Sequence, residues 1–303
     1  MKLALCIPTL NALGTAPALI AALRRQTRVP DEVLVIDSES DDGSLQLFES
    51  VGARVYSISR AEFNHGGTRQ LAVDMLVDAE VVVFLTQDAI LADCHAIEKI
   101  VDCFADPDVA AAYGRQLPRH CAGPVEAHAR LFNYPSRSRT NSLSDAEEIG
   151  LKTVFISNSF SAYRRNDLMA VGGFPSHLIL GEDTYIAAKL LLAERKIAYC
   201  AEALVYHSHN YKILEEFRRY FDTGVLHARE PWIRQRFGNA EGDGLRYVKS
   251  ELVYLWARGR SHIPSALFRN AWKLIGFRLG LKEALLPQVM KRKLSMFRSY
   301  WAN

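Results

Sequence analysis

The octapeptide His-Gly-Gly-Thr-Arg-Gln-Leu-Ala, which begins at residue 65, combines phosphate-binding groups with the predicted start of a helix. Two adjacent glycines, Gly66 and Gly67, permit a tight turn and let a ligand approach the backbone closely. The N–H groups at a helix start favour an anion, and His65 and Arg69 would add side-chain donors. The pattern predicts a phosphate-binding turn, and a tight turn capped by Thr68 is the simpler alternative.

Four acidic side chains stand where they could bind a ligand or move a proton. Asp37 follows a predicted strand and could accept a hydrogen bond from a base or a ribose. Asp88 follows another strand, and a carboxylate there suits Mg²⁺ or Mn²⁺ bound to phosphates. Glu182 and Asp183 precede a helix, where one acid could act as a general base. Each of the four could instead cap a helix.

His207 and His209 follow the last predicted strand of the sheet. Residues at positions i and i+2 of a strand project to the same side. One of these histidines could therefore complete a metal site with Asp88, and the pattern leaves open which one. A surface or core histidine is the alternative for either.

The first ninety residues alternate strands with helices, which predicts a parallel sheet covered on both faces. Ligands bind such sheets outside the carboxyl ends of the strands. The predicted strands are Leu3–Ile7, Glu32–Ile36, Arg54–Ile58 and Glu80–Leu85, and the predicted helices include Ala16–Gln26 and Thr68–Leu76.

The alternation weakens beyond Ala110, and residues 113–135 and 136–145 are predicted to be irregular or exposed. Helices are expected to dominate from Ile213 onward. Between these parts, the predicted elements are a strand over Phe155–Tyr163, a helix over Thr184–Ala193 and a strand over Ala203–Tyr206.

The composition is that of a soluble globular protein, with 303 residues, 49% hydrophobic and 23% charged. This length fits one large α/β domain, alone or with a helical appendage. Five cysteines without a C-x-x-C pair indicate reduced thiols in a cytoplasmic protein. No run of 18 apolar residues occurs in the sequence, so no membrane-spanning segment is expected.

Positive charge is concentrated at the C-terminal end. Residues 258–303 contain ten Lys and Arg against one acid, Glu283, which leaves 27 basic and 33 acidic residues before them. A basic amphipathic helix could lie on an anionic membrane, where each Lys or Arg adds about 1 kcal/mol; packing on the catalytic domain is the alternative. The acidic remainder argues against nucleic acid as a partner. Large apolar aromatic side chains accompany the positive charge over residues 245–303: Trp256, Phe268, Trp272, Phe277, Phe297 and Trp301.

Several motifs, in order along the chain, resemble those of family 2 glycosyltransferases with the GT-A fold, and the match covers about residues 2–225. These motifs are Pro8–Asn11, Ile36–Ser44, Phe84–Ala89 and Gly181–Asp183. Two further motifs resemble the rhamnosyltransferase branch, which uses dTDP-L-rhamnose to build bacterial O-antigen, lipopolysaccharide core and cell-wall polysaccharide: Glu62–Arg69 and Val205–Tyr211.

The resemblance implies a Rossmann-like α/β fold, with a mostly parallel central sheet flanked by helices. Residues 1–225 would form the GT-A nucleotide-sugar-binding and catalytic domain. Outside the resemblance, the charge pattern predicts that residues 226–303 form a basic amphipathic helical extension that associates with a membrane. The implied reaction is an inverting single displacement.

The resemblance also assigns roles to individual residues. Asp183 would be the catalytic base, and Asp88 would hold Mg²⁺ or Mn²⁺ together with His207. Most of the wider family has Asp-x-Asp where this chain has Gln87-Asp88-Ala89, so metal binding should be weaker. The implied substrate-binding residues are Pro8, Thr9, Asp37, His65, Gly66, Gly67, Arg69, Gln87 and Glu182.

The expected function is transfer of L-rhamnose from dTDP-L-rhamnose to a hydroxyl of a lipopolysaccharide core or a lipid-linked O-antigen. The enzyme would work on the inner face of the bacterial cytoplasmic membrane, and a homodimer is compatible with this interpretation. The alternatives are the same fold with UDP-galactofuranose or a UDP-hexose, and a nucleotide-sugar-binding scaffold subunit without turnover. A dinucleotide-binding dehydrogenase is disfavoured because no G-x-G-x-x-G follows the first strand.

Overall fold

The computed structural model describes residues 1–238 and 241–301, and these residues build one mixed β-sheet. The strands are β1 Leu3–Thr9, β2 Glu32–Asp37, β3 Arg54–Ser57, β4 Val81–Leu85, β5 Ile90–Leu91, β6 Val109–Leu117, β7 Arg139–Asn141, β8 Phe160–Arg164 and β9 Lys196–Tyr206. Their order across the sheet is β3-β2-β1-β4-β8-β6-β9-β5, and β7 pairs with β9.

The prediction of a mostly parallel sheet is confirmed. Strand β1 runs parallel to β2 and β4, β2 runs parallel to β3, and β6 runs parallel to β9. Strand β8 lies antiparallel between β4 and β6. The short strands β5 and β7 pair antiparallel with β9.

Both faces of the sheet are buried, as the apolar strands predict. In β1, Leu3, Leu5 and Ile7 enter one hydrophobic core, whereas Ala4 and Cys6 enter the core on the opposite face. The alternation follows from the two-residue period of a strand. Helices on each side complete the two cores.

Helices lie on both faces of the sheet and make up most of the C-terminal third. They are α1 Ala16–Arg24, α2 Ser44–Glu49, α3 His65–Met75, α4 Ala96–Asp102, α5 Pro124–Asn133, α6 Ala146–Ile149, α7 Arg165–Ala170, α8 Glu182–Leu192, α9 Ile213–Arg229, α10 Pro231–Phe237, α11 Glu241–Arg258, α12 Ile263–Leu281 and α13 Gln288–Leu294.

The prediction that residues 113–135 are irregular or exposed misses two regular elements, because this stretch holds the second half of β6 and the whole of α5. Strand β6 is rich in alanine and is buried by its neighbours β8 and β9, so its own side chains give little strand signal. The strand predicted over Phe155–Tyr163 begins only at Phe160. The loop before Phe160 instead supplies backbone and side-chain groups to the site described below.

Helices α9 and α12 pack closely, because glycines remove the side chains at their crossing. A Cβ built on Gly280 would lie 2.0 Å from Phe221 O, and one on Gly224 would lie 2.3 Å from Phe277 O. The crossing belongs to a third hydrophobic core that also buries Trp301. The domain boundary predicted after residue 225 therefore falls inside α9, which packs against the predicted extension.

The aromatic residues of the C-terminal region divide into two groups. Trp256 and Phe268 are 61% and 54% exposed, respectively. By contrast, Trp272, Phe297 and Trp301 pack into or against the third core. Part of the predicted basic surface is also paired within the fold, since Arg269 and Lys273 contact Glu216, and Lys291 contacts Glu283. Among the described residues, no helix has both the length and the apolar character needed to cross a membrane.

Candidate active site

Strand ends that are distant in sequence meet at one edge of the sheet. Strand β1 ends at Thr9, beside Asp37 at the end of β2. Strand β4 ends at Leu85, opposite Phe160 at the start of β8. Strand β9 ends at Tyr206 and runs parallel to β6. The loops that leave this edge carry most of the predicted site residues.

Asp88, His207 and His209 form a cluster whose ligand atoms all lie within 4.8 Å of one another. The Oδ2 atom of Asp88 is 3.4 Å from His207 Nε2 and 3.7 Å from His209 Nδ1. The sequence left open which histidine would join Asp88, and the structure brings both to it. A carboxylate and two imidazoles form a donor set that can hold a divalent cation.

The hydrogen bonds of His207 determine which of its ring nitrogens carries the proton. Gln116 Oε1 accepts a hydrogen bond from Arg130 Nη1 at 2.7 Å, so it is an acceptor. His207 Nδ1 lies 2.8 Å from the same oxygen and must therefore donate to it. In a neutral ring, Nε2 then turns a lone pair toward the Asp88 carboxylate. Two facing acceptors need a cation or a proton between them, and this need fits a metal site.

Burial disfavours a second proton on either histidine ring at neutral pH. It lowers the pKa of His207, and it lowers the pKa of His209 to about 3. Arg119 Nη2, 3.3 Å from Asp88 Oδ2, favours the ionised form of that carboxylate. The cluster is thus an anionic carboxylate beside two neutral rings, the protonation state that metal ligation requires.

Arg119 is a site residue that the sequence analysis missed. Its Nη2 atom donates to the Asp88 carbonyl oxygen at 2.6 Å and lies 3.3 Å from Asp88 Oδ2. Its backbone N–H donates to Ser208 Oγ, between the two histidines. Arg119 follows β6, the strand that the sequence analysis did not find, so its place at the sheet edge was not recognised.

Asp183 lies in the first turn of α8 and is held by backbone groups. Its Oδ1 atom accepts from Thr184 N at 2.8 Å, and its Oδ2 atom accepts from Asn158 N at 3.4 Å. Burial, followed by the negative charge of Glu182, raises the pKa of Asp183 to about 6. A carboxylate with this pKa is ionised at neutral pH and is a stronger base than an exposed aspartate.

Glu182 belongs to a buried ion pair beneath Asp183. Its Oε1 atom lies 3.1 Å from Arg69 Nη1 and accepts from Asn158 Nδ2 at 3.0 Å. Burial acts to raise the pKa of Glu182, but the charge of Arg69 outweighs it and lowers that pKa. Glu182 is therefore the ionised neighbour that makes Asp183 harder to ionise.

A short series of contacts links the metal-type cluster to Asp183. Gln116, which holds His207, also donates through Nε2 to Ser157 Oγ at 2.9 Å. Ser157 precedes Asn158, whose backbone N–H contacts Asp183. The two acids on which the predicted reaction depends, Asp88 and Asp183, thus lie at the same edge of the sheet.

The glycine turn has a structural role that differs from the prediction. Asn64 caps α3, and its Oδ1 atom accepts from Gly66 N at 3.0 Å and from Gly67 N at 2.8 Å. The amides assigned to a diphosphate are therefore already bonded, and the cap is Asn64 rather than Thr68. A Cβ on Gly66 would lie 1.8 Å from Pro175 O, so glycine is needed there for close packing.

The side chains of the turn also face inward. Arg69 is 5% exposed, pairs with Glu182 and donates to His65 O at 2.8 Å. The His65 ring packs edge-on against Phe63 and Phe297, and burial lowers its pKa to about 4. His65 and Arg69 therefore support Glu182 and the C-terminal segment in this structure.

The remaining predicted substrate contacts hold the strand-end loops together. Asp37 is fully buried and accepts from Thr9 Oγ1 at 3.3 Å and from Ser40 N at 2.9 Å. Gln87 accepts from Leu10 N at 2.7 Å and donates to Leu10 O at 3.0 Å. The half-buried Pro8 lies on β1 beside Ile36 of β2. These bonds fix the shape of the edge around the cluster.

Comparison with known proteins identifies the family. The sequence profile described as glycosyl transferase family 2 matches residues 4–172, more than half of the chain. The chain belongs to glycosyl transferase family 2. The prediction that it is a glycosyltransferase enzyme is thereby confirmed.

This family 2 glycosyltransferase is similar along its whole length to two curated relatives. It is 50% identical over 304 residues to the O-antigen chain rhamnosyltransferase RfbN of Salmonella typhimurium, covering 100% of this chain and 97% of the relative. It is 48% identical over 301 residues to the O-antigen chain rhamnosyltransferase WbaN of Salmonella anatum, covering 99% of this chain and 95% of the relative. The predicted resemblance to the rhamnosyltransferase branch is confirmed.

Solved structures confirm the GT-A fold of this family 2 glycosyltransferase. The mannosyltransferase PcManGT from Pyrobaculum calidifontis, solved with GDP-Man and Mn²⁺, aligns with a TM-score of 0.65 at 16% identity and covers 93% of this chain and 87% of its own. Residues 1–349 of S. aureus TarS, solved with UDP, align with a TM-score of 0.56 at 16% identity. This alignment covers 94% of this chain and 91% of the TarS chain.

Proposed function

We propose that this chain transfers L-rhamnose from dTDP-L-rhamnose to a hydroxyl of a bacterial surface glycan, with inversion at the anomeric carbon. The two full-length relatives support the sugar, since both are named O-antigen chain rhamnosyltransferases. The observation that carries the chemistry is the shared sheet edge, where the Asp88 cluster and Asp183 are linked through Gln116 and Asn158. The acceptor class is a lipopolysaccharide core or a lipid-linked O-antigen.

Asp183 is the catalytic base in this proposal. It accepts the proton of the acceptor hydroxyl as the oxygen attacks the anomeric carbon from the face opposite the leaving diphosphate. Its pKa of about 6 leaves it ionised at neutral pH while keeping it basic enough to take the proton. Hydrogen bonds from Thr184 N and Asn158 N hold the carboxylate in place.

Asp88, His207 and His209 would hold the divalent cation, and Arg119 adds a fixed positive charge beside them. These residues would hold a cation that would supply positive charge for the leaving diphosphate. Two imidazoles and one carboxylate suit Mn²⁺ better than Mg²⁺, which prefers oxygen ligands. Arg119 is placed to bind the same diphosphate, since its guanidinium shares the Asp88 carboxylate with the cluster.

The proposal also places the enzyme on the inner face of the cytoplasmic membrane, where a lipid-linked acceptor would be found. Exposed apolar side chains of the C-terminal region support this placement, including Trp256, Phe268 and Leu285 at 61%, 54% and 80% exposure. Exposed basic side chains such as Arg258 and Lys282 accompany them. Exposed side chains of these two kinds are suited to contact with anionic lipid.

A donor panel tests the proposed function. The purified protein is incubated with Mn²⁺, with extracted lipid-linked or core oligosaccharide, and with dTDP-L-rhamnose, UDP-galactofuranose or a UDP-hexose in turn. We expect release of dTDP together with a rhamnosylated product whose anomeric configuration, measured by NMR, is opposite to that of the donor. Preferential turnover of a UDP-sugar would replace the donor assignment, and retention of configuration would remove Asp183 as the base.

A further inference from the structure

Two cysteines lie beside a surface cavity that is separate from the candidate active site. Cys103 begins the 3₁₀ turn Cys103–Ala105 that follows α4, and Cys200 lies in β9. Both line a cavity of about 250 Å³, together with Ser138 and Thr140 among others. Cys200 is 7% exposed and Cys103 is partly exposed, so small solutes reach the pair through the cavity.

The two sulfur atoms share one hydrogen-bond acceptor. Cys103 Sγ is 3.7 Å from the carbonyl oxygen of Lys99, and Cys200 Sγ is 3.5 Å from the same oxygen. Elements that are far apart in sequence therefore bring two thiols to the same carbonyl oxygen and to the same cavity.

The two thiols differ in pKa. A hydrogen bond from Cys103 lowers the pKa of Cys200 to about 7, against the opposing effect of burial. The same hydrogen bond, aided by burial, raises the pKa of Cys103. Of the two thiols, Cys200 is therefore the more readily ionised, although the carboxylate of Glu202, 3.8 Å from its sulfur, opposes the thiolate. The thiolate is the form of cysteine that reacts with oxidants.

We propose that Cys103 and Cys200 form a redox-sensitive dithiol that hydrogen peroxide converts to a disulfide. The Cys200 thiolate attacks one peroxide oxygen, so that an S–O bond forms, the O–O bond breaks and hydroxide leaves as water after taking a proton. The Cys103 sulfur then attacks the Cys200 sulfenic acid, an S–S bond forms, and the second water leaves with the Cys103 proton. The dithiol loses two electrons, and one peroxide is reduced to two waters.

The disulfide would tie the end of α4 to an irregular point of β9. The register between β6 and β9 pairs Gly114 with Cys200 and then Arg115 with Leu204, so residues 201–203 bulge from the ladder. His207 comes directly after the last residue of β9. Oxidation would therefore fix a segment of β9 that leads directly to the metal-type cluster.

Peptide mapping tests the proposal on the full-length protein. The reduced protein is treated with hydrogen peroxide, its remaining thiols are alkylated, and the digest is analysed by mass spectrometry without and with a reductant. We expect a peptide pair joined by Cys103 and Cys200 that disappears on reduction. Alkylation of Cys200 in untreated protein should rise with a midpoint near pH 7.

Other cysteines of the same chain serve as controls. Cys6 is fully buried and its pKa is raised to about 12, so it should stay unmodified, whereas Cys94 and Cys121 are exposed and report peroxide exposure. In Cys103→Ser, Cys200 should advance to sulfinic acid instead of forming a disulfide. Oxidation of Cys94 and Cys121 with Cys103 and Cys200 both still reduced would overturn the proposal, as would a disulfide that pairs Cys200 with another cysteine.

Discussion

The turn amides at the start of α3 and the side chains at the end of β9 differ in how they are paired. At the start of α3, Asn64 accepts from the amides of Gly66 and Gly67, and Arg69 pairs with Glu182. At the end of β9, the acceptor Nε2 of His207 faces the carboxylate of Asp88 with no donor between them.

This difference separates structural polar groups from those that await a ligand. Buried polar groups need partners, and a site whose groups have already found them within the fold gains little from a ligand. A set of acceptors that face one another is destabilising until a cation joins them. By this criterion, we expect the end of β9 and the neighbouring Asp183 to form the reactive region. At the start of α3 the turn amides are paired, although His65 Nε2 and Arg69 Nε are buried without a hydrogen-bond partner.

The largest expected effect comes from Asp183→Asn, which keeps the size of the side chain but removes the base. We expect kcat to fall by about 10²- to 10⁴-fold, the range for loss of a general base, while dTDP binding measured by calorimetry is retained. Asp102→Asn, at the exposed end of α4, is the matched control and should leave kcat unchanged. Near-normal turnover by Asp183→Asn would show that the reactive region does not include the start of α8.

The next effect tests the metal-type cluster directly. In His207→Ala, the Kd for Mn²⁺ should rise on the order of 100-fold, because one ligand and its fixed orientation are lost. His95→Ala is the control, since His95 is an exposed histidine that contacts Glu98 on α4. Equal Mn²⁺ affinity in both variants would remove the contrast between the end of β9 and the start of α3.

A matched glycine pair tests the other side of the comparison. Gly66→Ala should lower the free energy of unfolding by about 1–3 kcal/mol, because the added methyl meets Pro175 O. In Gly67→Ala, the nearest atom to the added methyl is the Cβ of Ser176 at 3.4 Å, so the fold should tolerate it.

The donor KM of Gly67→Ala distinguishes a structural turn from a diphosphate-binding turn. The stability of this variant is measured by thermal unfolding. An unchanged donor KM is expected if Asn64 keeps the turn amides occupied. A large rise in this KM without loss of stability would restore the predicted diphosphate contact at the start of α3.

The smallest effect is a pH dependence. Because the pKa of Asp183 is raised to about 6, the carboxylate is protonated below that pH and cannot accept the acceptor proton. We expect kcat/KM to be level above pH 7 and to fall tenfold per pH unit below pH 6. The slope is measured with dTDP-L-rhamnose over pH 5–8. A profile that stays level down to pH 5 would place the titrating base elsewhere.

Sequence reasoning succeeded where the hydrophobic pattern of a strand predicts the place of the residues at its end. The apolar runs of β1, β2 and β4 indicated a parallel sheet, and the carboxyl ends of such strands must share an edge. It failed for β6 and α5, whose burial depends on neighbours rather than on their own pattern. Arg119 was missed for that reason.

The sequence by itself determined the α/β fold and the order of the motifs, and it predicted Asp88 and Asp183 as the two essential acids. These features depend on local hydrophobic pattern and on residue type. Only the tertiary structure decided which polar groups are already satisfied, since Asn64, Gln116 and Asn158 find their partners through folding. A hydrogen bond depends on where both of its atoms lie, and one position in a sequence specifies neither the partner nor the distance.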